Sequence, residues 1–136
     1  MQTPSSAKPR RPSWLDPWRC TVELLVVSGC PGTELAVARI REATEALGIE
    51  TNLRFIIVEG ERHAQELGFP GSPTVRVEGR DVADDAEESA GVGPNERTVG
   101  VSCRLYSDGD KVEQAPPLAW IQAALAKAAP LLGPGQ

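Results

Sequence analysis

Histidine, methionine and tyrosine occur once each in this chain of 136 residues, aromatic residues make up only 4 % of it, and its cysteines number three. Each scarcity removes a class of chemistry. One histidine, His63 beside Arg62, leaves no set from which a Ser-His-Asp or Cys-His arrangement can be assembled, and it reads as a surface residue of a short helix. Three cysteines at irregular spacing do not form a disulfide framework, so in a reducing compartment they rest as thiols whose reactivity is the question. No run nears the roughly 18 to 20 apolar residues of a bilayer span, and the start of the chain lacks the apolar stretch of a secretory signal. The expected compartment is the cytoplasm, with no membrane partner. A net charge of −5 argues against a nucleic-acid surface, which is built from clustered Lys and Arg.

What remains is a 40 % hydrophobic chain, long enough for one domain with a modest core. Residues 1–19 carry Pro4, Pro9, Pro12 and Pro17 among Ser, Lys and Arg, a composition that denies regular pairing and predicts a flexible tail. Trp14 and Trp18 within it either fold back onto an apolar groove or dock a partner. Thr21–Ser28 is nearly continuous in apolar character and predicts a strand covered on both faces. Val37, Ile40, Thr44 and Leu47 fall at helical spacing after Gly32, and Gly48 supplies the stop. Asn52–Glu59 predicts a second strand, Glu61–Leu67 a short helix closed by Gly68, and Thr74–Val77 a third strand.

From Gly79 to about Arg97 the chain is dense in Asp and Glu and carries Gly91, Gly93 and Pro94, which predicts an acidic loop inserted at 79–97. Its carboxylates lack the spacing of a calcium loop, and no metal is expected there. Val99, Val101, Cys103 and Leu105 alternate with polar residues, which predicts a fourth strand beside the third with Cys103 on its apolar face. Ser107–Asp110 turns the chain into a fifth strand at Lys111–Gln114, and Pro116 and Pro117 open a last helix with the stripe Leu118, Ile121, Leu125 and Ala128. Residues 131–136 read as a tail.

Two short motifs carry chemistry. Cys30-Pro31-Gly32-Thr33 stands where the first strand gives way to a helix, so the unpaired N–H groups and positive dipole end of that helix favour a thiolate at Cys30, against the opposing charge of Glu34. The Thr33 hydroxyl is a candidate donor to the sulfur. Ser72-Pro73-Thr74 heads the third strand; X-Pro is the bond at which a cis peptide costs least, and the backbone of Ser72 before it is a candidate pairing site for an extended substrate. With Thr33 where a second motif cysteine would stand, Cys30 needs another thiol to resolve a mixed disulfide. Cys103 is the internal candidate, with a core role as its alternative. Cys20 is not, because ten residues of extended strand put it roughly 30 Å away.

Glu66-Leu67-Gly68-Phe69-Pro70-Gly71-Ser72-Pro73-Thr74-Val75-Arg76-Val77 resembles the approach of the thioredoxin superfamily to its cis proline, and Val22–Thr33 resembles its first strand and active-site turn. The resemblance covers most of residues 21–129. More narrowly, Gly29-Cys30-Pro31, Gly71-Ser72-Pro73-Thr74 and Cys103-Arg104-Leu105-Tyr106 resemble small bacterial thioredoxin-like proteins related to alkylmercury lyase. The resemblance implies an α/β, thioredoxin-like domain at 20–130, with a central mixed sheet of four to five strands flanked by helices. It further implies a monothiol-type thiol-disulfide oxidoreductase. Cys30, Thr33 and Cys103 would carry the chemistry, with Pro31, Gly32, Ser72, Pro73 and Thr74 lining the substrate site.

On this reading the partner is a disulfide-containing protein or a small-molecule thiol, with no cofactor beyond glutathione or a similar reductant. Two further readings stay open. In one, Cys30 and Cys103 bind or cleave a soft metal or organomercurial, since thiolates select soft metals; the alkylmercury lyase that the chain resembles uses an aspartate with its two cysteines, and no aspartate follows Cys30 closely. In the other, the fold is a redox-silent binding module.

Overall fold

A computed structural model describes residues 19–89, 91 and 99–132; of Arg19, Ser89 and residues 129–132 only the backbone is described. Residues 1–18 of the expected Pro-rich tail, with Trp14 and Trp18, residues 90 and 92–97 of the expected acidic loop, residue 98 and residues 133–136 lie outside that range. The elements are β1 (Arg19–Val26), α1 (Thr33–Leu47), β2 (Glu50–Ile57), α2 (Glu61–Leu67), β3 (Thr74–Val77), β4 (Arg80–Asp81), α3 (Val82–Ser89), β5 (Tyr106–Asp108), β6 (Lys111–Glu113) and α4 (Leu118–Leu132). The chain is a mixed α/β structure. Its main sheet has the order β2-β1-β3-β4, with β1 and β2 parallel and the pairs β1/β3 and β3/β4 antiparallel.

The inner strand β1 explains its own composition. Cys20, Val22, Leu24 and Val26 point to one face, where they pack with Ala36, Ile40 and Ala43 of α1 and with Ile121, Ala124 and Leu125 of α4. Leu25 points to the other face, into a smaller cluster with Val58, Ala64 and Phe69, flanked by Val27. Burial on both sides requires an apolar residue at nearly every position. At roughly 1.5 to 3 kcal/mol per fully buried aliphatic side chain, this strand anchors the domain. β3 returns through Glu78 and Gly79 at φ 51° and 83°, the positive angles that a two-residue hairpin needs to match strand twist. Among the described residues no helix is long and apolar enough to cross a membrane.

Five expectations are corrected. The first two strands begin two residues earlier than the apolar runs suggest, at Arg19 and Glu50, because backbone pairing extends by the pairs Arg19–Glu50 and Cys20–Thr51 beyond the apolar stretches. Residues 80–89 of the expected acidic loop are instead β4 and α3. The Asp81 carboxylate accepts the Ala83 N–H at 2.9 Å and caps α3, while Asp84 and Asp85 sit in its first turn, where negative charge suits the helix dipole.

The expected fourth strand at 99–105 is not a sheet strand. It makes a single parallel bridge, Cys103 to Ser72, and its inward residue is Arg104, 9 % exposed, rather than its apolar neighbours. The expected fifth strand leaves the main sheet and pairs with β5 in a separate two-stranded ribbon, so the main sheet has four strands. That ribbon is held to α1, since Arg39 Nη1 donates to Glu113 Oε1 at 2.9 Å and to the carbonyls of Ala115 and Pro116. Residues 131 and 132 belong to α4, not to a tail.

Candidate functional site

Cys30 lies in the turn between β1 and α1, half-buried, with its N–H donated to the Val27 carbonyl at 3.2 Å and its carbonyl accepting the Thr33 N–H at 3.3 Å. Pro31 is exposed beside it. Gly32 occupies the N-cap of α1 with no side-chain cap, so the first-turn amides of the helix are left to the turn, and Glu34 is the charge in that turn. The position of Gly32 is decided by packing. A Cβ there would overlap the Gln114 carbonyl oxygen and lie 3.1 Å from Pro73 Cδ, so only glycine lets the Cys30 turn seat against Pro73.

On the facing side the Ser72–Pro73 peptide is cis. Ser72 is 1 % exposed, and its Oγ accepts the Val27 N–H at 3.0 Å, which ties the proline loop to the strand end that carries Cys30. Thr74 is fully buried and donates to the Gly71 carbonyl at 2.7 Å, closing the loop on itself. Thr74, expected to line a substrate site, is thus buried, with its hydroxyl held by Gly71 and Arg104. The Ser72 backbone is likewise taken: its N–H donates to the Ser102 carbonyl and its carbonyl accepts the Arg104 N–H, each at 2.8 Å. The pairing site read from the sequence is filled by the chain's own segment, and Cys103, at its centre, is exposed rather than in the core.

A run of contacts links Cys30 to Cys103: the Cys30 N–H donates to the Val27 carbonyl, the Val27 N–H to Ser72 Oγ, and Ser72 is bridged to Cys103. Cys20 is not part of it: it is fully buried at the far end of β1, and its thiol is pushed up to about 12 by burial first and then by the charge and hydrogen bonding of Glu78. His63 accepts the Glu59 N–H through Nδ1 at 3.1 Å, a local contact at the start of α2. No protein-family model, curated protein or solved structure matches this chain.

Sequence reasoning missed the residues that fix the Cys103 segment. Arg104 Nη1 donates to Asp81 Oδ2 at 2.8 Å and Thr74 Oγ1 at 3.0 Å, and its guanidinium carbon lies 4.6 Å from the centre of the Tyr106 ring. The Tyr106 hydroxyl donates to the Pro73 carbonyl, and its ring meets Trp120 edge-on at 6.2 Å. The signal was present, since Arg104 alternates with Cys103 and Leu105 and a lone tyrosine follows two residues on. An arginine on the inward side is invisible to a hydrophobic pattern unless its buried carboxylate partner is already known. Among the described residues no group of three or more His, Cys, Asp or Glu side chains is arranged to hold a metal ion. A cavity of about 170 Å³ opens between Val77, Arg80 and α4 residues Ala124 and Ala128, and neither Cys30 nor Cys103 lines it.

Proposed function

We propose that the protein is a thioredoxin-like thiol-disulfide oxidoreductase of monothiol type, with Cys30 as nucleophile and Cys103 as the resolving thiol. The observation that carries this reading is the packing of the Cys30 turn against Pro73, with Cys103 bridged to Ser72 beside it. The strand order β2-β1-β3-β4, with Cys30 directly after the inner strand and at the start of a helix, supports the same reading.

The helix end stabilises negative charge on the Cys30 sulfur as the thiol ionises. The thiolate attacks one sulfur of a disulfide RS–SR; a Cys30–SR bond forms, the substrate S–S bond breaks, and RS⁻ leaves and takes up a proton. The Cys103 thiolate then attacks Cys30 Sγ, forming the Cys30–Cys103 disulfide and expelling the second RS⁻. The substrate gains two electrons and the two protein thiols lose them. Excess small thiol such as glutathione runs the sequence backwards and restores both thiols. Cys103 lies one strand spacing, about 4.8 Å between Cα atoms, from Ser72, and Ser72 touches the strand end three residues before Cys30.

Intact mass after mild oxidation with glutathione disulfide tests the scheme. The native chain is expected to form an internal disulfide, Cys103→Ser to stop at a glutathione adduct on Cys30, and Cys30→Ser to give neither. An adduct that persists in Cys30→Ser, or a native chain that takes up no adduct and forms no bond, overturns it. Addition of mercuric ion in the same measurement reads the soft-metal alternative, since the same two thiols are its ligands.

A further inference from the structure

The chain itself closes over the Cys30 turn and over the Ser72–Pro73 loop that packs against it. At the turn, Gln114, at the end of the β5–β6 ribbon, lies so close over Gly32 that no side chain fits between them. At the loop, Ser102–Arg104 runs alongside Ser72 and takes both of its backbone hydrogen-bonding groups. That segment is seated as closely as a backbone permits: a Cβ on Gly71 would lie 3.0 Å from Arg104 Cβ and 3.2 Å from the Ser102 carbonyl. It is also pinned. The Arg104 side chain, 8 % exposed, is held by Asp81, itself 8 % exposed, and lies over the Tyr106 ring. Lifting the segment removes two backbone hydrogen bonds and leaves a buried carboxylate without its cation.

Resting on the thiol-exchange reading of Cys30, we propose that the substrates are small disulfides of the glutathione type, and that disulfides carried on extended polypeptide are refused. An extended chain docks beside a thiol by pairing its backbone with a free edge, and the edge next to Cys30 is Ser72. Ser102–Arg104 already occupies it. The outer edge of that segment lies one strand further out, so a peptide added there sits about 9.6 Å from Ser72, twice the strand spacing. A small disulfide needs no such edge. It has only to bring one sulfur to the half-exposed Cys30, which the exposed Pro31 follows.

The test compares two substrates with the same leaving group: thionitrobenzoate mixed disulfides of glutathione and of a short extended peptide without glycine or proline. Native protein is expected to release thionitrobenzoate from the glutathione compound at least about tenfold faster, after correction for the uncatalysed rates. Arg104→Ala, which unpins the segment, is expected to narrow that ratio by raising the peptide rate, and Arg104→Lys serves if the alanine variant does not fold. Equal rates, or a faster peptide, overturn the proposal, as does a ratio unchanged in a folded Arg104 variant. Reaction with neither compound instead removes the exchange reading on which the proposal rests.

Discussion

Cys20, Cys30 and Cys103 put one side chain into three environments, and environment alone sets what each can do. Cys20 is sealed under α1 and α4 beside Glu78, Cys30 is half-buried at a helix start, and Cys103 stands in solvent on a pinned segment. The thiolate is the reactive species, and a thiol pushed up to about 12 is almost wholly protonated at neutral pH as well as inaccessible. With a limiting alkylating reagent at neutral pH, peptide mapping is therefore expected to find label on Cys30 and Cys103 and none on Cys20 until denaturant is added. Label on Cys20 in the folded protein at a rate comparable to the other two contradicts the described packing. The places of Cys30 and Cys20 were legible, because an apolar run followed by Cys-Pro-Gly fixes which cysteine follows the strand and which lies deep within it. The side of Cys103 was not. Val99 and Val101 pack onto the Phe69 cluster and suggest that Cys103 follows them inward, whereas Leu105 is 63 % exposed and the inward position belongs to Arg104.

At the level of elements, Asp81 joins three pieces that are far apart in sequence. One oxygen caps α3 and the other holds Arg104, so the acidic helix, the β3–β4 hairpin and the Cys103 segment share one carboxylate. The helix went unread because β4 has two residues and no periodicity, and because Asp and Glu in number look like a solvated loop until one of them is seen to be a cap. Asp81→Asn separates the two roles, since an amide oxygen still caps a helix but no longer neutralises a guanidinium. Removing one member of a buried pair typically costs about 3 to 5 kcal/mol. The variant is expected to lose about 3 kcal/mol in denaturant unfolding while hydrogen exchange at the first turn of α3 changes little. A loss below about 1 kcal/mol, the range of exposed pairs, means that the Arg104 pair is solvated.

At the scale of the molecule, β1 carries a buried thiol near its start and leads at its other end into the exposed turn of Cys30. The order of the sheet was partly legible from it: a run apolar on both faces belongs inside, whereas Leu53, Phe55 and Ile57 of β2 look equally apolar in sequence yet are 40 %, 50 % and 43 % exposed on an edge strand. Edge position depends on which strand joins next, which no local pattern encodes. The buried end has a consequence for the stability of the whole domain. Cys20 moves from an ordinary 9.0 to about 12 on folding, by burial first and the charge and hydrogen bonding of Glu78 next. Its contribution is fully present below pH 9.0, where both states hold the proton, and is lost as pH rises toward about 12, because the unfolded chain releases a proton that the folded chain keeps. The limiting slope is about 1.4 kcal/mol per pH unit for one such group. Cys20→Ala is expected to lower stability at neutral pH by roughly 1 kcal/mol, the effect of a small cavity. Its stability should then fall less steeply than that of the native chain above pH 9.0, so that the two curves converge and cross within about one pH unit of that value and separate in the opposite sense beyond it. Parallel curves over that window mean that another group carries the alkaline transition and that the Cys20 thiol ionises as readily folded as unfolded.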